Sequence, residues 1–126
     1  MTDKKRILVV DDDPDIVEGF TALFEDNGYA TITADNGKQG FALAQSEKPD
    51  LITLDITMEE ESGMRALRNL QDTEGTSSIP IIIITGVSPD LKTFITRSRN
   101  IEFPAAFMEK PVDNDELLAK VKELIG

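Results

Sequence analysis

Four consecutive isoleucines, Ile81 to Ile84, follow Pro80 and stop at Thr85-Gly86, and they are the strongest strand signal in the 126-residue chain. A β-branched run this short, bounded by turn formers, belongs in a strand rather than a helix. A second run, Asp50-Leu51-Ile52-Thr53-Leu54-Asp55, lies between Pro49 and a polar loop and reads as a strand covered on both faces. Ile7-Leu8-Val9-Val10 is stopped by Asp11-Asp12-Asp13 in the same way. Tyr29 to Ala34 alternates enough for a further strand, and Ala105-Ala106-Phe107-Met108, ended by Glu109-Lys110-Pro111, is the weakest of the five.

Helical patterns fill the intervals. Pro14 suits a first helical position with Asp13 as its cap, and Ile16, Val17, Phe20, Leu23 and Phe24 recur at helical spacing until Asn27-Gly28. A second helix is expected from about Lys38 to Ser46, with Phe41 and Ala44 inward and Lys48-Pro49 as its stop. Met64, Leu67 and Leu70 mark a third. Ser88-Pro89-Asp90 opens a fourth, carrying Leu91, Phe94 and Ile95 on one face. The fifth starts at a capping box, Asp113 to Glu116, and carries Leu117, Leu118, Val121, Leu124 and Ile125. Thr73 to Ser78, rich in Gly, Ser and Thr, is expected to be the most flexible internal loop. Alternation at this spacing implies one α/β domain over residues 1–126: a doubly wound, five-stranded parallel sheet of flavodoxin-like (β/α)5 form with right-handed crossovers and order 2-1-3-4-5.

Absent residue types narrow the chemistry. With no Cys there is no disulfide or thiolate site, and with no His the commonest general base and transition-metal ligand is gone. A metal here must be held by oxygen, which favours Mg²⁺, Ca²⁺ or Mn²⁺. The net charge of −11 argues against direct nucleic-acid binding. Ile7 to Val10 is too short for a signal-peptide core, and no run approaches the ~18 apolar residues of a membrane span. A soluble, cytoplasmic protein is expected.

In an open parallel sheet, ligands gather beyond the carboxyl ends of the strands, at the point where strand order reverses. That order brings Asp11 and Asp12, after the first strand, beside Asp55, after the third; Thr85 ends the fourth and Lys110 follows the fifth. Adjacent strands lie about 4.8 Å apart, so all five residues converge on one edge. Carboxylates ~4 Å apart at an effective dielectric near 20 repel by about 4 kcal/mol per pair, which a hard divalent cation would relieve. An ionised Asp55 needs no general base, while the Thr85 hydroxyl and the Lys110 charge suit phosphoryl oxygens. The set has the chemistry of a phosphoryl-acceptor site.

Through Ile7 to Pro14, Pro49 to Asp55, Pro80 to Gly86 and Glu109-Lys110-Pro111, in that order and spacing, the chain resembles the response-regulator receiver family of two-component signal transduction, of the chemotaxis-receiver type, over essentially its whole length. The resemblance implies transfer of a phosphoryl group to Asp55 from the phosphohistidine of a sensor histidine kinase or phosphotransfer protein. It implies Mg²⁺, with Mn²⁺ as a substitute, held by Asp12 directly, by Asp11 through water, by Asp55 and by the Thr57 carbonyl. Thr85 and Lys110 would grip the phosphoryl oxygens, Thr85 and Phe107 would act as the switch, and Thr57 and Val87 would tune dephosphorylation. Lys110-Pro111 matches a bond the family holds cis. A downstream protein, or a second copy in a homodimer, would dock on the face of helix 4, strand 5 and helix 5, where Lys92, Arg97, Arg99, Lys120 and Lys122 place basic residues. Such a chain would be a stand-alone signalling domain with weak autophosphorylation and autodephosphorylation rather than a conventional enzyme; a fragment of a longer protein is the alternative.

Departures from the family pattern refine this. Met58-Glu59 stands where Met-Pro is common, Ser62-Gly63 where Asp-Gly is common, and Glu59, Glu60 and Glu61 read as a solvated acidic run beside the metal mouth. Neither Thr57 nor Val87 offers an acid or amide to orient water, so a phosphorylated form lasting minutes or longer is expected. The competing readings are a phosphorylation-independent pseudo-receiver, opposed by intact Asp12, Asp55, Thr85 and Lys110, and a haloacid-dehalogenase-type phosphatase, whose start Asp11-Asp12-Asp13 matches but whose following Thr is missing. An FMN binder is weaker still, because three aspartates would repel the phosphate.

Overall fold

In the computed structural model, which describes residues 4–56, 62–86 and 104–126, the five apolar runs become strands β1 (Arg6–Val10), β2 (Ala30–Ala34), β3 (Leu51–Leu54), β4 (Ile81–Thr85) and β5 (Ala106–Glu109). They form one parallel sheet in the order β2-β1-β3-β4-β5. Four helices are found among the described residues: α1 (Pro14–Asp26), α2 (Gly37–Glu47), α3 (Ser62–Asp72) and the C-terminal α4 (Asn114–Ile125). The expected helix from Ser88 lies outside the described residues. No described helix is long and apolar enough to cross a membrane.

Side chains on a strand point alternately to the two faces of the sheet, and both faces are covered here. Leu8, Val10, Ile52, Leu54, Ile81 and Ile83 pack against Ala44 of α2 and Ala66, Leu67 and Leu70 of α3. Ile7, Val9, Leu51, Ile82 and Ile84 pack against Phe20 and Phe24 of α1 and Leu117 and Val121 of α4. Phe41 is half-buried against the first of these cores, so the inward reading of α2 holds.

Helix ends follow the expected chemistry. The Asp13 side chain accepts from the Asp15 N–H at 2.9 Å, Pro14 takes the first helical position, and Gly28 follows the C-cap with φ +91. Asp113 accepts from the N–H groups of Asp115 and Glu116. Lys48 ends α2 in the left-handed region at φ 46.

Two expectations are corrected. Tyr29 is not in β2: its N–H bonds to the Phe24 carbonyl at 3.0 Å and its ring is buried edge-on to Phe24, so it closes α1 instead. The stretch Thr73 to Ser78 is not a loose loop but a set of hydrogen-bonded turns. Thr76 is buried, and its hydroxyl donates to the Leu70 carbonyl at 2.8 Å, which ties the turns to the end of α3. Composition signals only a turn-rich stretch, whereas the inward Thr76 hydroxyl and the backbone bonds around it depend on the folded end of α3.

Candidate functional site

The ladder of the sheet runs one residue past its strands, and that places the acidic groups. The Asp11 N–H donates to the Ala34 carbonyl at 3.1 Å, and the Asp55 N–H donates to the Val10 carbonyl at 3.0 Å. Both side chains therefore leave from adjacent strand ends and are almost wholly buried, at 3% and 4% exposure. Asp12, next along the turn into α1, is exposed. One carboxylate oxygen from each of Asp11, Asp12 and Asp55 lies within 4.8 Å of the others.

Lys110 reaches into this group from the far side of β4. Its N–H donates to the Thr85 carbonyl at 2.9 Å, which fixes its backbone beside β4, and the Lys110-Pro111 peptide is cis. Its Nζ donates to Asp11 Oδ2 at 2.7 Å and to Asp55 Oδ2 at 3.2 Å. The other Asp11 oxygen accepts from the Asp13 N–H at 2.9 Å, so this carboxylate is held from both sides. Thr85 is fully buried at the end of β4, one strand from Asp55. Phe107, in the middle of β5, is half-buried against the core that α2 and α3 cover.

Burial pushes the Asp11 carboxyl above its ordinary value; the hydrogen bonds from Lys110 and the Asp13 N–H and the Lys110 charge oppose this, and the Asp55 charge adds to it. Burial acts to lower Lys110, but its hydrogen bond to Asp11 and the charges of Asp55 and Asp11 outweigh it, so the ammonium is raised. Desolvation and charge crowding thus compete within one small volume. With all three carboxylates ionised, Lys110 compensates one charge and leaves two. An all-oxygen donor set with that residual charge fits a hard divalent cation such as Mg²⁺.

Of the residues singled out in the sequence, Asp11, Asp12, Asp55, Thr85 and Lys110 come together at one sheet edge, and Phe107 lies on the neighbouring strand. Thr57, Val87, the run Glu59 to Glu61, and Lys92, Arg97 and Arg99 lie outside the described residues. Two features were not foreseen. One is the direct double grip of Lys110 on Asp11 and Asp55. The other is a groove of about 570 Å³ beside Asp12, lined by Val17, Glu18, Asp35 and Gln39 among others. The Asp35 N–H to Gln39 Oε1 bond of 2.9 Å builds its far wall. The polar spacing Asp35 to Gln39 was the only sequence signal for it.

A family model described as response regulator receiver domain matches residues 7–122. Protein PilH of Pseudomonas aeruginosa is 35% identical over 121 residues, covering 96% of this chain and 98% of PilH. A CheY-like response regulator receiver domain protein from Methanospirillum hungatei JF-1 superposes with a TM-score of 0.84 at 29% identity, covering 96% of this chain and 93% of that one. The receiver domain of sensor histidine kinase PA1611 from Pseudomonas aeruginosa PAO1, solved with a magnesium ion coordinated in its active site cleft, gives a TM-score of 0.83 at 24% identity, with 98% and 99% covered. Some curated relatives are longer, and the chain spans 48% or 26% of several transcriptional regulators.

Proposed function

This chain belongs to the response regulator receiver domain family, and from that premise we propose that it is a single receiver domain whose Asp55 accepts a phosphoryl group from a phosphohistidine. The donor is a sensor histidine kinase or phosphotransfer protein, and the reaction takes place in the cytoplasm. What supports this most is the placement of the Lys110 ammonium against both Asp11 and Asp55, with Asp12 completing the carboxylate trio. The receiver of PA1611 holds magnesium in its cleft, and we carry that ion over to Asp11, Asp12 and Asp55. When bound, Mg²⁺ supplies positive charge that screens an incoming phosphoryl group from the carboxylates.

The chain's own residues do the rest. An oxygen of the ionised Asp55 attacks phosphorus; the new O–P bond forms as the P–N bond to the donor imidazole breaks, and the electron pair leaves with the imidazole. No proton has to be removed from the nucleophile, in keeping with a chain that has no His. Lys110 shifts its hydrogen bond from the Asp55 carboxylate to a phosphoryl oxygen, and Thr85 donates its hydroxyl to another. Thr85 and Phe107, on adjoining strands, then carry the change toward the face of β5 and α4, where a downstream protein binds. Thr57 and Val87 set the lifetime of the phosphorylated form.

Incubation with acetyl phosphate and Mg²⁺, followed by intact-mass measurement, tests this: the wild type gains about 80 Da, the mass of one phosphoryl group, and Asp55→Ala gains nothing. A gain retained by Asp55→Ala would remove Asp55 from the role. No gain under any phosphodonor would favour a phosphorylation-independent binding module.

A further inference from the structure

At the end of the sheet that carries the acidic site, but between α2 and α3, lies a groove of about 310 Å³ lined by Gly37, Lys38 and Phe41 of α2 and Arg65, Ala66 and Asn69 of α3. Its chemistry is opposite to that of the molecule. In a chain of net charge −11, two exposed cations face one cavity from two helices. Among the described residues neither is in an ion pair or hydrogen bond, and the half-buried Asn69 amide makes no hydrogen bond through its side chain. The floor is apolar, formed by the half-buried Phe41 ring and by Ala66.

The helix dipoles do not favour these cations. Lys38 and Arg65 both lie in the first turn of their helices, where the helix dipole disfavours positive charge, and neither first turn has an acidic residue. In α1 and α4, by contrast, Asp15, Asp115 and Glu116 occupy that turn. Side chains placed against local stability point to a role in binding.

We propose that this groove docks an acidic segment of a partner protein, with an apolar side chain seated on Phe41 and flanking carboxylates paired to Lys38 and Arg65. A small inorganic anion would satisfy the cations and leave the Phe41 ring uncovered. An acidic segment with an apolar centre satisfies both, and Asn69 supplies a donor and an acceptor for its backbone. The acidic remainder of the chain repels other parts of such a partner, which confines contact to the groove and rejects acidic surfaces that lack the apolar residue. This surface is separate from Asp55, so the proposal stands or falls independently of phosphoryl transfer.

The test is titration of the nitrogen-labelled 126-residue chain, observed by NMR, with a synthetic peptide of glutamates flanking a central leucine. Its glutamine counterpart and inorganic phosphate serve as the other arms. Saturable shifts at Lys38, Phe41, Arg65 and Asn69 are expected with the acidic peptide, weakened about tenfold or more, or about 1.4 kcal/mol, with the glutamine peptide. Lys38→Glu with Arg65→Glu abolishes the shifts, and Lys38→Gln with Arg65→Gln, which adds no new charge, weakens them. Equal binding of the two peptides, shifts that survive charge reversal, phosphate binding as tightly as the acidic peptide, or no shift at the groove would each overturn the proposal.

Discussion

Within the acidic site, Asp11 is a carboxylate that burial penalises when charged. Its carboxyl is raised above the ordinary 3.8 chiefly by burial. A carboxyl with a folded-state pKa above its unfolded value binds its proton more tightly when folded, so its contribution favours the folded state at low pH and is lost as pH rises through the folded pKa. Lys110 is raised above 10.5, so the stability it contributes is present below that value and fades only at higher pH. Between the two windows, metal-free protein holds a buried carboxylate that, among the described residues, only Lys110 and a backbone N–H offset. Asp11→Asn keeps the side-chain shape and removes the titration. In chelator-treated buffer its stability should therefore improve relative to wild type as pH rises from about 4 to 7, measured by urea unfolding. A difference that stayed constant across that range would show that Asp11 ionises without penalty.

At the scale of elements, α2 lies tightly against β1 at Gly40. A Cβ built on Gly40 would lie 2.8 Å and 3.0 Å from the two methyl carbons of the buried Val10. Gly19, in the exposed middle of α1, has nothing within 4 Å of the same position. Gly19→Ala should stabilise by up to ~1 kcal/mol through helix propensity. Gly40→Ala should destabilise, with overpacking of ~1–3 kcal/mol exceeding that gain. Chemical denaturation of the pair checks both signs, and stabilisation by Gly40→Ala would mean that α2 can move off the sheet. Strands were the most legible elements in the sequence because β-branched runs ended by polar residues admit few other structures. The second helix was less so, since Gly37-Lys38-Gln39-Gly40 has little apolar pattern and its contact with Val10 depends on the sheet already being formed. Tyr29 was misassigned because strand alternation and a residue packed under a helix end look alike in a short window.

For the whole molecule, strand order turns scattered aspartates into a site. Asp11 and Lys110 are 99 residues apart, and their 2.7 Å contact exists only because β1 and β5 flank β3 and β4 in one sheet. The sequence carried the membership of the site through its strand-end positions. It could not carry the grip of Lys110 on two carboxylates or the opposing cations of the α2–α3 groove, which depend on side-chain reach between distant elements. Because the carboxylates meet only in the folded chain, Mg²⁺ should bind that state alone and raise the melting temperature. At a hundredfold excess over Kd the gain is about 2.7 kcal/mol. Differential scanning calorimetry should show this rise in the wild type and a smaller one in Asp12→Asn.

The central claim is that the β3 aspartate itself becomes the acyl phosphate. Borohydride reduction of protein treated with acetyl phosphate and Mg²⁺ converts an aspartyl phosphate to an alcohol, which peptide mass spectrometry locates. We predict modification at Asp55 alone, and none when Mg²⁺ is chelated. Modification at Asp11, Asp12 or any other residue, or labelling of Asp55 that persists without the metal, would contradict it.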